Sequence, residues 1–214
     1  MNKNILVCAF LAVAGASQAI SFNYVSVPTL NSASINFSGT ANGGTFGFQA
    51  ADNGYDFVIT HSSNASLVGL RGNFRGVFAI GPITTVGPVQ GAPVLTSGTL
   101  SIFDGASSFT ADLAWNSIFS LGTTVGLNAD ELPNVTNAAY TGTNSGLIEI
   151  FNQTQRTITL STQFIPSRNL AALTANGAFN KNSYSGTFNA VPEPATMAAL
   201  ALGLAAVARR RKAR

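Results

Sequence analysis

Apolar residues alternate with serine, threonine, asparagine or glycine over many short runs between residues 20 and 190. A period of two places the apolar side chains on one face of a β-strand and the polar side chains on the other. Runs of this kind predict strands at residues 21–25, 34–37, 45–48, 55–59, 74–80, 99–103, 109–115, 147–151 and 157–164. We therefore expect antiparallel strands with one face in water.

Turn-forming residues separate these runs. Positive φ angles, which tight hairpins need, are supplied at Asn42-Gly43-Gly44, Asp52-Asn53-Gly54, Asp104-Gly105 and Asn176-Gly177. Many short strands with turns between them predict an all-β domain, built as an antiparallel β-sandwich or a jelly-roll-like arrangement. The chain's 15 phenylalanines would supply much of its core, and Trp115 is also expected there.

One internal segment has helical spacing. Residues 167–174 predict a short surface helix, because Pro166 and Ser167 favour a helix start and Asn176-Gly177 favours its end. The rest of the domain carries no comparable helical pattern.

The first 19 residues have the order of a secretory signal peptide. Lys3 gives a basic start, an apolar run follows over residues 5–14, and small residues precede Ala19. We predict a signal helix over 1–19 that signal peptidase removes by cutting between Ala19 and Ile20. The only cysteine, Cys8, lies in this segment, so the mature chain is expected to have no disulfide and no thiolate metal site.

The last 24 residues also have an ordered pattern. A box of Val191, Pro192, Glu193 and Pro194 is followed by an apolar segment at 195–208 and by the basic cluster Arg209, Arg210, Arg211, Lys212 and Arg214. As a helix, residues 195–208 would rise about 21 Å, less than the roughly 30 Å of a hydrocarbon core. We predict a short transmembrane helix whose basic end stays cytoplasmic.

This order of box, apolar helix and basic cluster resembles the PEP-CTERM sorting signal. The resemblance implies that an exosortase, a membrane-embedded cysteine protease of Gram-negative bacteria that make exopolysaccharide, recognises the tail and cuts near the box. It also implies a transient anchor in the inner membrane and a final place at the cell surface or outside the cell. The predicted organisation is a signal peptide at 1–19, a β-domain at 20–190 and a sorting signal at 191–214.

Charge excludes one class of partner. Five of the eleven basic residues lie in the last six positions and Lys3 lies in the signal. Residues 20–190 hold five basic side chains against seven acidic ones, a net charge of −2. Because this domain has no basic stripe, we expect no nucleic acid partner.

Catalytic motifs are missing from the sequence. His61 is the only histidine, and no nucleophile elbow, zinc-binding helix or P-loop is present. We therefore expect no enzyme activity, no metal and no cofactor. His61 is expected at a strand end or in a loop.

Three alternatives remain open. Asp104 and Asp112 flank a turn, and a facing pair of acids would make a secreted carbohydrate-active enzyme. Oxygen ligands between Asp52 and Asp56 resemble part of a calcium loop without the spacing of an EF-hand. A tail that is never cut would leave a permanently anchored envelope protein.

The preferred interpretation is a non-catalytic exported protein of the cell surface or extracellular matrix. It would act structurally or associate with exopolysaccharide. Trp115 with Tyr140 or Tyr184 would form a surface that stacks on sugar rings, although a single tryptophan more often lies in the core.

Overall fold

The structure is a computed structural model that describes residues 18–27, 34–50, 54–122, 124–128, 130, 132–165, 168–176 and 181–192. Most of the predicted signal peptide lies outside these ranges. Glu193, Pro194, the helix predicted over 195–208 and the basic cluster after it also lie outside them.

The described ranges contain fifteen strands and two α-helices. The strands are β1 (Ile20–Ser26), β2 (Ile35–Thr40), β3 (Gly43–Phe48), β4 (Phe57–Ser62), β5 (Arg71–Arg75), β6 (Phe78–Ile80), β7 (Thr84–Val86), β8 (Val89–Pro93), β9 (Gly98–Phe103), β10 (Ser108–Leu113), β11 (Ser117–Leu121), β12 (Thr124–Leu127), β13 (Val135–Ala139), β14 (Gln155–Ile165) and β15 (Lys181–Val191). The helices are α1 (Ser145–Asn152) and α2 (Leu170–Asn176), with a short 3-10 helix at Ala65–Leu67.

Twelve strands form one large sheet. Its order is β13-β10-β9-β5-β4-β1-β15-β14-β12-β11-β8-β7, and neighbouring strands pair antiparallel. The inner face of this sheet carries large buried residues such as Phe22, Leu100 and Ile158. The opposite, outer face is largely serine, threonine and asparagine.

The large sheet curls until its edge strand β13 approaches β14. Asn134, which precedes β13 and is 2% exposed, makes this contact. Its amide nitrogen donates to the Ile158 carbonyl at 3.0 Å and its amide oxygen accepts from the Ile158 N–H at 2.8 Å. A side-chain amide presents an N–H donor beside a carbonyl acceptor, as successive peptide groups of a strand do, so Asn134 pairs with β14 as a further strand residue would.

A second layer covers part of the inner face. Strands β2, β3 and β6 form a three-stranded sheet, and the ring of Phe37 in β2 lies 5.7 Å from that of Phe164 in β14. Helix α2 is fixed beside it, because Ser120 Oγ and Gln90 Oε1 accept hydrogen bonds from the N–H groups of its first two residues. Aromatic side chains fill the space between the layers.

The prediction of an antiparallel all-β domain is confirmed. Packing of a small sheet on the curled large sheet is compatible with a β-sandwich, whereas the jelly-roll alternative stays a prediction. Trp115 is fully buried, as expected. The helix predicted at 167–174 is present as α2, shifted a few residues towards the C-terminus.

The strand predicted at 147–151 is wrong, because these residues belong to helix α1. Asn144 caps its first turn by accepting a hydrogen bond from the Leu147 N–H at 3.1 Å. Gly146, Leu147 and Ile150 are buried, which is a helical spacing. Arg156 then closes the helix by donating to the carbonyls of Ile150 and Phe151.

The run predicted as one strand at 74–80 is two strands, β5 and β6. Gly76 has a φ of 138°, which lets the chain leave the large sheet and enter the small one.

Candidate binding groove on the outer face

A depression of about 600 Å³ crosses the outer face of the large sheet. We call it the outer groove. It crosses strands β4, β1, β15, β14, β12 and β11 and is lined by Asn23, Tyr24, Val25, Thr60, His61, Phe119, Gly126, Leu127, Thr159, Leu160, Ser161, Ser185, Gly186 and Thr187. The lining residues come from segments far apart in the sequence. Tyr24, Leu127 and Leu160 are among them, but their side chains are buried in the core.

Strand register arranges these side chains in two rows across the sheet. In the first row His61 stands opposite Asn23, Asn23 opposite Thr187, and Thr187 opposite Thr159. In the second row the paired residues are Val25, Ser185, Ser161, Gly126 and Phe119. Neighbours within a row are about 4.8 Å apart, the spacing of paired strands.

A β-bulge brings His61 to this face. Phe57 and Ile59 of β4 point into the core, so regular alternation would also turn residue 61 inward. Asn23 pairs with His61 while Tyr24 pairs with Ile59, which leaves Thr60 as an extra residue. The bulge therefore reverses the alternation, and His61 is exposed beside Asn23.

Phe119 forms one end of the groove with glycines on both sides. Gly126 of β12 and Gly91 of β8 are its partners across the strands. A Cβ atom added at Gly126 would lie 2.1 Å from Phe119 Cε1, so the ring lies directly over that glycine. One face of the ring therefore covers the sheet, and the half-buried side chain presents its other side to the groove.

Polar groups in the groove keep free hydrogen-bonding capacity. Asn23 Oδ1 accepts from Thr187 Oγ1 at 3.1 Å, which orients the amide. The Asn23 amide nitrogen donates to no group in the described part of the chain, and the side chains of His61, Ser161 and Ser185 make no hydrogen bond there. These donors and acceptors are available to a ligand.

A second depression lies further along the outer face. It measures about 390 Å³ and is lined by Gly54, Tyr55, Gly72, Asn73, Ser101, Phe103 and Ser108. The rings of Tyr55 and Phe103 are stacked with centroids 6.3 Å apart. We call this depression the β5–β9 hollow.

Asp104 is engaged in a turn. Its Oδ1 accepts from the N–H groups of Ala106 and Ser107 at 2.8 and 2.6 Å, and its Oδ2 accepts from the Tyr140 hydroxyl. The hydrogen bond from Ser107 is the main reason that the pKa of Asp104 lies below its ordinary value. A carboxylate held ionised in this way is poorly suited to act as a general acid.

Asp112 does not face Asp104. Phe103 pairs with Ser108 and Thr99 with Asp112, so five residue steps along the hairpin, about 16 Å, separate the two acids. Paired acids in glycosidases are roughly 5 to 10 Å apart. The structure does not bring together the two residues that the enzyme alternative requires.

Asp56 is buried behind the proposed calcium turn. Its Oδ2 accepts from the Phe74 N–H at 2.6 Å and its Oδ1 lies 3.4 Å from Arg75 Nη1. Burial raises the pKa of Asp56, and the Phe74 and Arg75 contacts partly offset this rise. Asp52 and Asn53 lie outside the described residues, within which no cluster of three or more His, Cys, Asp or Glu residues is placed to hold a metal ion.

Both predicted processing sites adjoin the same end of the sheet. Strand β1 begins at Ile20, directly after exposed Ala19. Ile20 pairs with Ala190 of β15, and β15 ends at Val191, followed by Pro192. Cleavage at either site stays a prediction. No helix in the described part of the chain is long and apolar enough to cross a membrane.

Trp115, Tyr140 and Tyr184 do not form a surface for stacking on sugars. All three are buried, and the Tyr184 hydroxyl donates to the Asp56 carbonyl inside the core at 2.9 Å. The aromatic residue that faces the groove is Phe119, which sequence reasoning missed. The only indication in the sequence is that Phe119 directly follows Ile118, which is buried, so the two side chains point to opposite faces of the strand.

Comparison with known families assigns the tail. Residues 190–212 match the family model of the PEP-CTERM protein-sorting motif, which confirms the resemblance predicted from the box and the basic cluster. The motif marks an exported protein that an exosortase sorts to the cell surface. Comparison of the chain with curated proteins and with solved structures gives no match.

Proposed function

We propose that this exosortase-sorted protein is a non-catalytic component of the cell surface or extracellular matrix that adheres to polysaccharide through the outer groove. The observation that supports it is that one half-buried aromatic ring, Phe119, lies in the same groove as rows of hydroxyl and amide side chains. Sugars present both apolar C–H faces and many hydroxyls. An aromatic ring stacks on the former and serine, threonine and asparagine bind the latter.

The tail supports the destination. Export through the N-terminal signal, its removal by signal peptidase between Ala19 and Ile20, and a transient inner-membrane anchor at 195–208 would deliver the domain to the outer side of the cell. Exosortase action near Pro194 would then release or transfer it. At this place the domain would be in reach of exopolysaccharide, the ligand that we propose for it.

The outer groove favours binding over catalysis. No aspartate or glutamate lines it, and hydrolysis of a glycosidic bond ordinarily needs two. We therefore propose that the domain binds polysaccharide without cutting it, and that it needs no cofactor, metal or nucleic acid.

Co-sedimentation tests this proposal. The protein recovered from the extracellular or surface fraction of its host is mixed with that host's extracellular polysaccharide, and the bound fraction and released reducing ends are measured. We expect binding that Phe119→Ala weakens, with no release of reducing ends. Absence of binding, or turnover that Asp104→Asn abolishes, would overturn the proposal.

Intact mass of the same recovered protein tests the destination. A species that starts near Ile20 and ends near Pro194 is expected. An inner-membrane species that keeps Arg209 and the rest of the basic cluster would instead identify a permanent tail anchor.

A further inference from the structure

We infer that the outer groove holds an uncharged, linear glycan that runs across the strands, with one sugar stacked on Phe119 and others hydrogen-bonded near Asn23 and His61. The inference rests on the proposed function and adds to it the charge, the orientation and the length of the ligand.

The two rows of paired residues indicate the direction in which the glycan lies. The first row runs from His61 to Thr159 and the second from Val25 to Phe119, both at right angles to the strands. The groove crosses six strands, so its length is about 24 Å at the usual strand spacing. A site of that length contacts several sugars in a row rather than one.

The residues that line the outer groove indicate that the glycan is uncharged. No Asp, Glu, Lys or Arg is among the residues that line the groove. A carboxylate or sulfate group on the glycan would lose part of its hydration here and gain no lysine or arginine partner in return. An uncharged glycan avoids this cost and exchanges its water for hydrogen bonds of similar strength.

The two ends of the groove differ. At the β11 end, Phe119 has glycine partners on both sides, so no neighbouring side chain along the row stands above the ring. At the β4 end, Asn23 and His61 offer polar nitrogen atoms instead. Between them the hydroxyls of Ser185 and Ser161 can donate or accept. This order of side chains suits a glycan that stacks on Phe119 at one end of the groove and is held by hydrogen bonds at the other end.

The experiment is a calorimetric titration of the exported protein. The probes are cello-, xylo- and manno-oligosaccharides from disaccharide to hexasaccharide, with oligogalacturonates of the same lengths as the charged series. We expect affinity for at least one uncharged series to rise with length and then level off. We expect the charged series to bind at least about tenfold more weakly, and Phe119→Ala to reduce affinity for the hexasaccharide about tenfold.

Matched variants separate the groove from the rest of the face. His61→Ala and Asn23→Ala change exposed side chains. Each is expected to reduce the affinity for the hexasaccharide by about threefold to tenfold. Ser108→Ala, in the β5–β9 hollow, is expected to leave affinity unchanged. Circular dichroism of each variant checks that it is folded.

Different failures have different meanings. Equal binding of galacturonates, or an affinity that is already maximal for a disaccharide, would overturn this inference while leaving polysaccharide binding intact. A protein that binds no polysaccharide at all would overturn the proposed function. If sedimentation shows a dimer that Phe119→Ala dissociates, the groove is an interface between two copies and the inference is wrong.

Discussion

Two aromatic rings lie over glycines on opposite faces of the same sheet, and they differ in their exposure to solvent. On the inner face Tyr24 lies over Gly186, its partner in β15. On the outer face Phe119 lies over Gly126, its partner in β12. In both pairs an added Cβ atom would collide with the ring. The glycine makes room for a ring to lie flat on the strands.

The inner pair is fully enclosed. Tyr24 is 0% exposed, its hydroxyl donates to the Thr159 carbonyl at 2.8 Å, and its ring contacts those of Phe22, Phe57, Phe74 and Tyr184. Burial raises the pKa of Tyr24 well above its ordinary value, so the phenol stays neutral. The ring is fixed as part of the core.

The outer pair has one side in water. Phe119 is half-buried and stacks on no other aromatic ring within the described residues. The same arrangement of ring and glycine therefore stabilises the fold on one face and presents a flat apolar surface on the other. We therefore expect a substitution at Gly186 to reduce mainly the stability of the fold and a substitution at Gly126 to reduce mainly glycan binding.

The largest expected effect comes from Gly186→Ala. An added Cβ would lie 2.1 Å from the Thr159 carbonyl oxygen and 2.3 Å from the Tyr24 hydroxyl, and neither group has room to move. We expect the free energy of unfolding to fall by about 3 kcal/mol or more. Denaturant titration measures it. A loss below about 1 kcal/mol would show that the inner face is less tightly packed than described.

Gly126→Ala should act on binding. The new methyl group would push the Phe119 ring off the sheet, and because the side chain is only half-buried the ring can turn away at a stability cost of about 1 kcal/mol. We expect polysaccharide affinity to fall about tenfold. Gly91→Ala is the matched control, since its Cβ would meet nothing closer than 3.8 Å. Equal affinities of the two variants would contradict the role given to the ring.

Tyr24→Phe tests the hydrogen bond of the inner pair alone. The Thr159 carbonyl would lose its phenol donor, at a cost of about 1 kcal/mol in unfolding free energy. Polysaccharide affinity should not change, since Tyr24 faces the core. The variant's unfolding curve and its titration with the hexasaccharide check both statements. A larger change in affinity than in stability would contradict the separation of the two faces.

The pH dependence of stability should differ between an inner and an outer acid. Burial raises the pKa of Asp56 above its ordinary 3.8, so the folded state binds its proton more tightly and stability increases as pH falls through the raised pKa towards 3.8. The pKa of Asp104 is lowered from 3.8, so its contribution is present above 3.8 and is lost as pH falls through the lowered pKa.

Unfolding midpoints between neutral pH and about pH 3 measure this difference. In the Asp56→Asn variant, the gain in stability on mild acidification should be absent. In the Asp104→Asn variant, the fall in stability at lower pH should be absent. Identical pH profiles of both variants and the original protein would contradict the assignment.

The sequence predicted the inner face better than the outer one. Alternation alone identified strands such as β1, β9 and β10, because each places large apolar residues at every second position. Strand β15, which lies between β1 and β14 in the large sheet, was missed. Gly186 interrupts the apolar series of Tyr184, Phe188 and Ala190 on its inward face, and the strand's pairing with β1 joins segments distant in sequence.

The groove could not be predicted from local patterns. Asn23, His61, Phe119 and Thr187 meet only through strand order, and a single bulged residue, Thr60, decides that His61 faces outward. The glycine pairing of Phe119 joins three strands whose register no sequence pattern reveals. The PEP-CTERM motif of the tail, by contrast, was predicted correctly, because its signal is a continuous stretch of sequence.

The location of bound glycan tests the central claim most directly. The 22.0 kDa chain is suited to nitrogen-15 NMR, and amide shifts of the exported protein are followed during titration with the best-binding uncharged hexasaccharide. The account predicts the largest shifts at Asn23, His61, Phe119 and Thr187. Shifts centred on Tyr55 and Phe103 in the β5–β9 hollow, or on the Asp104 turn, would contradict it.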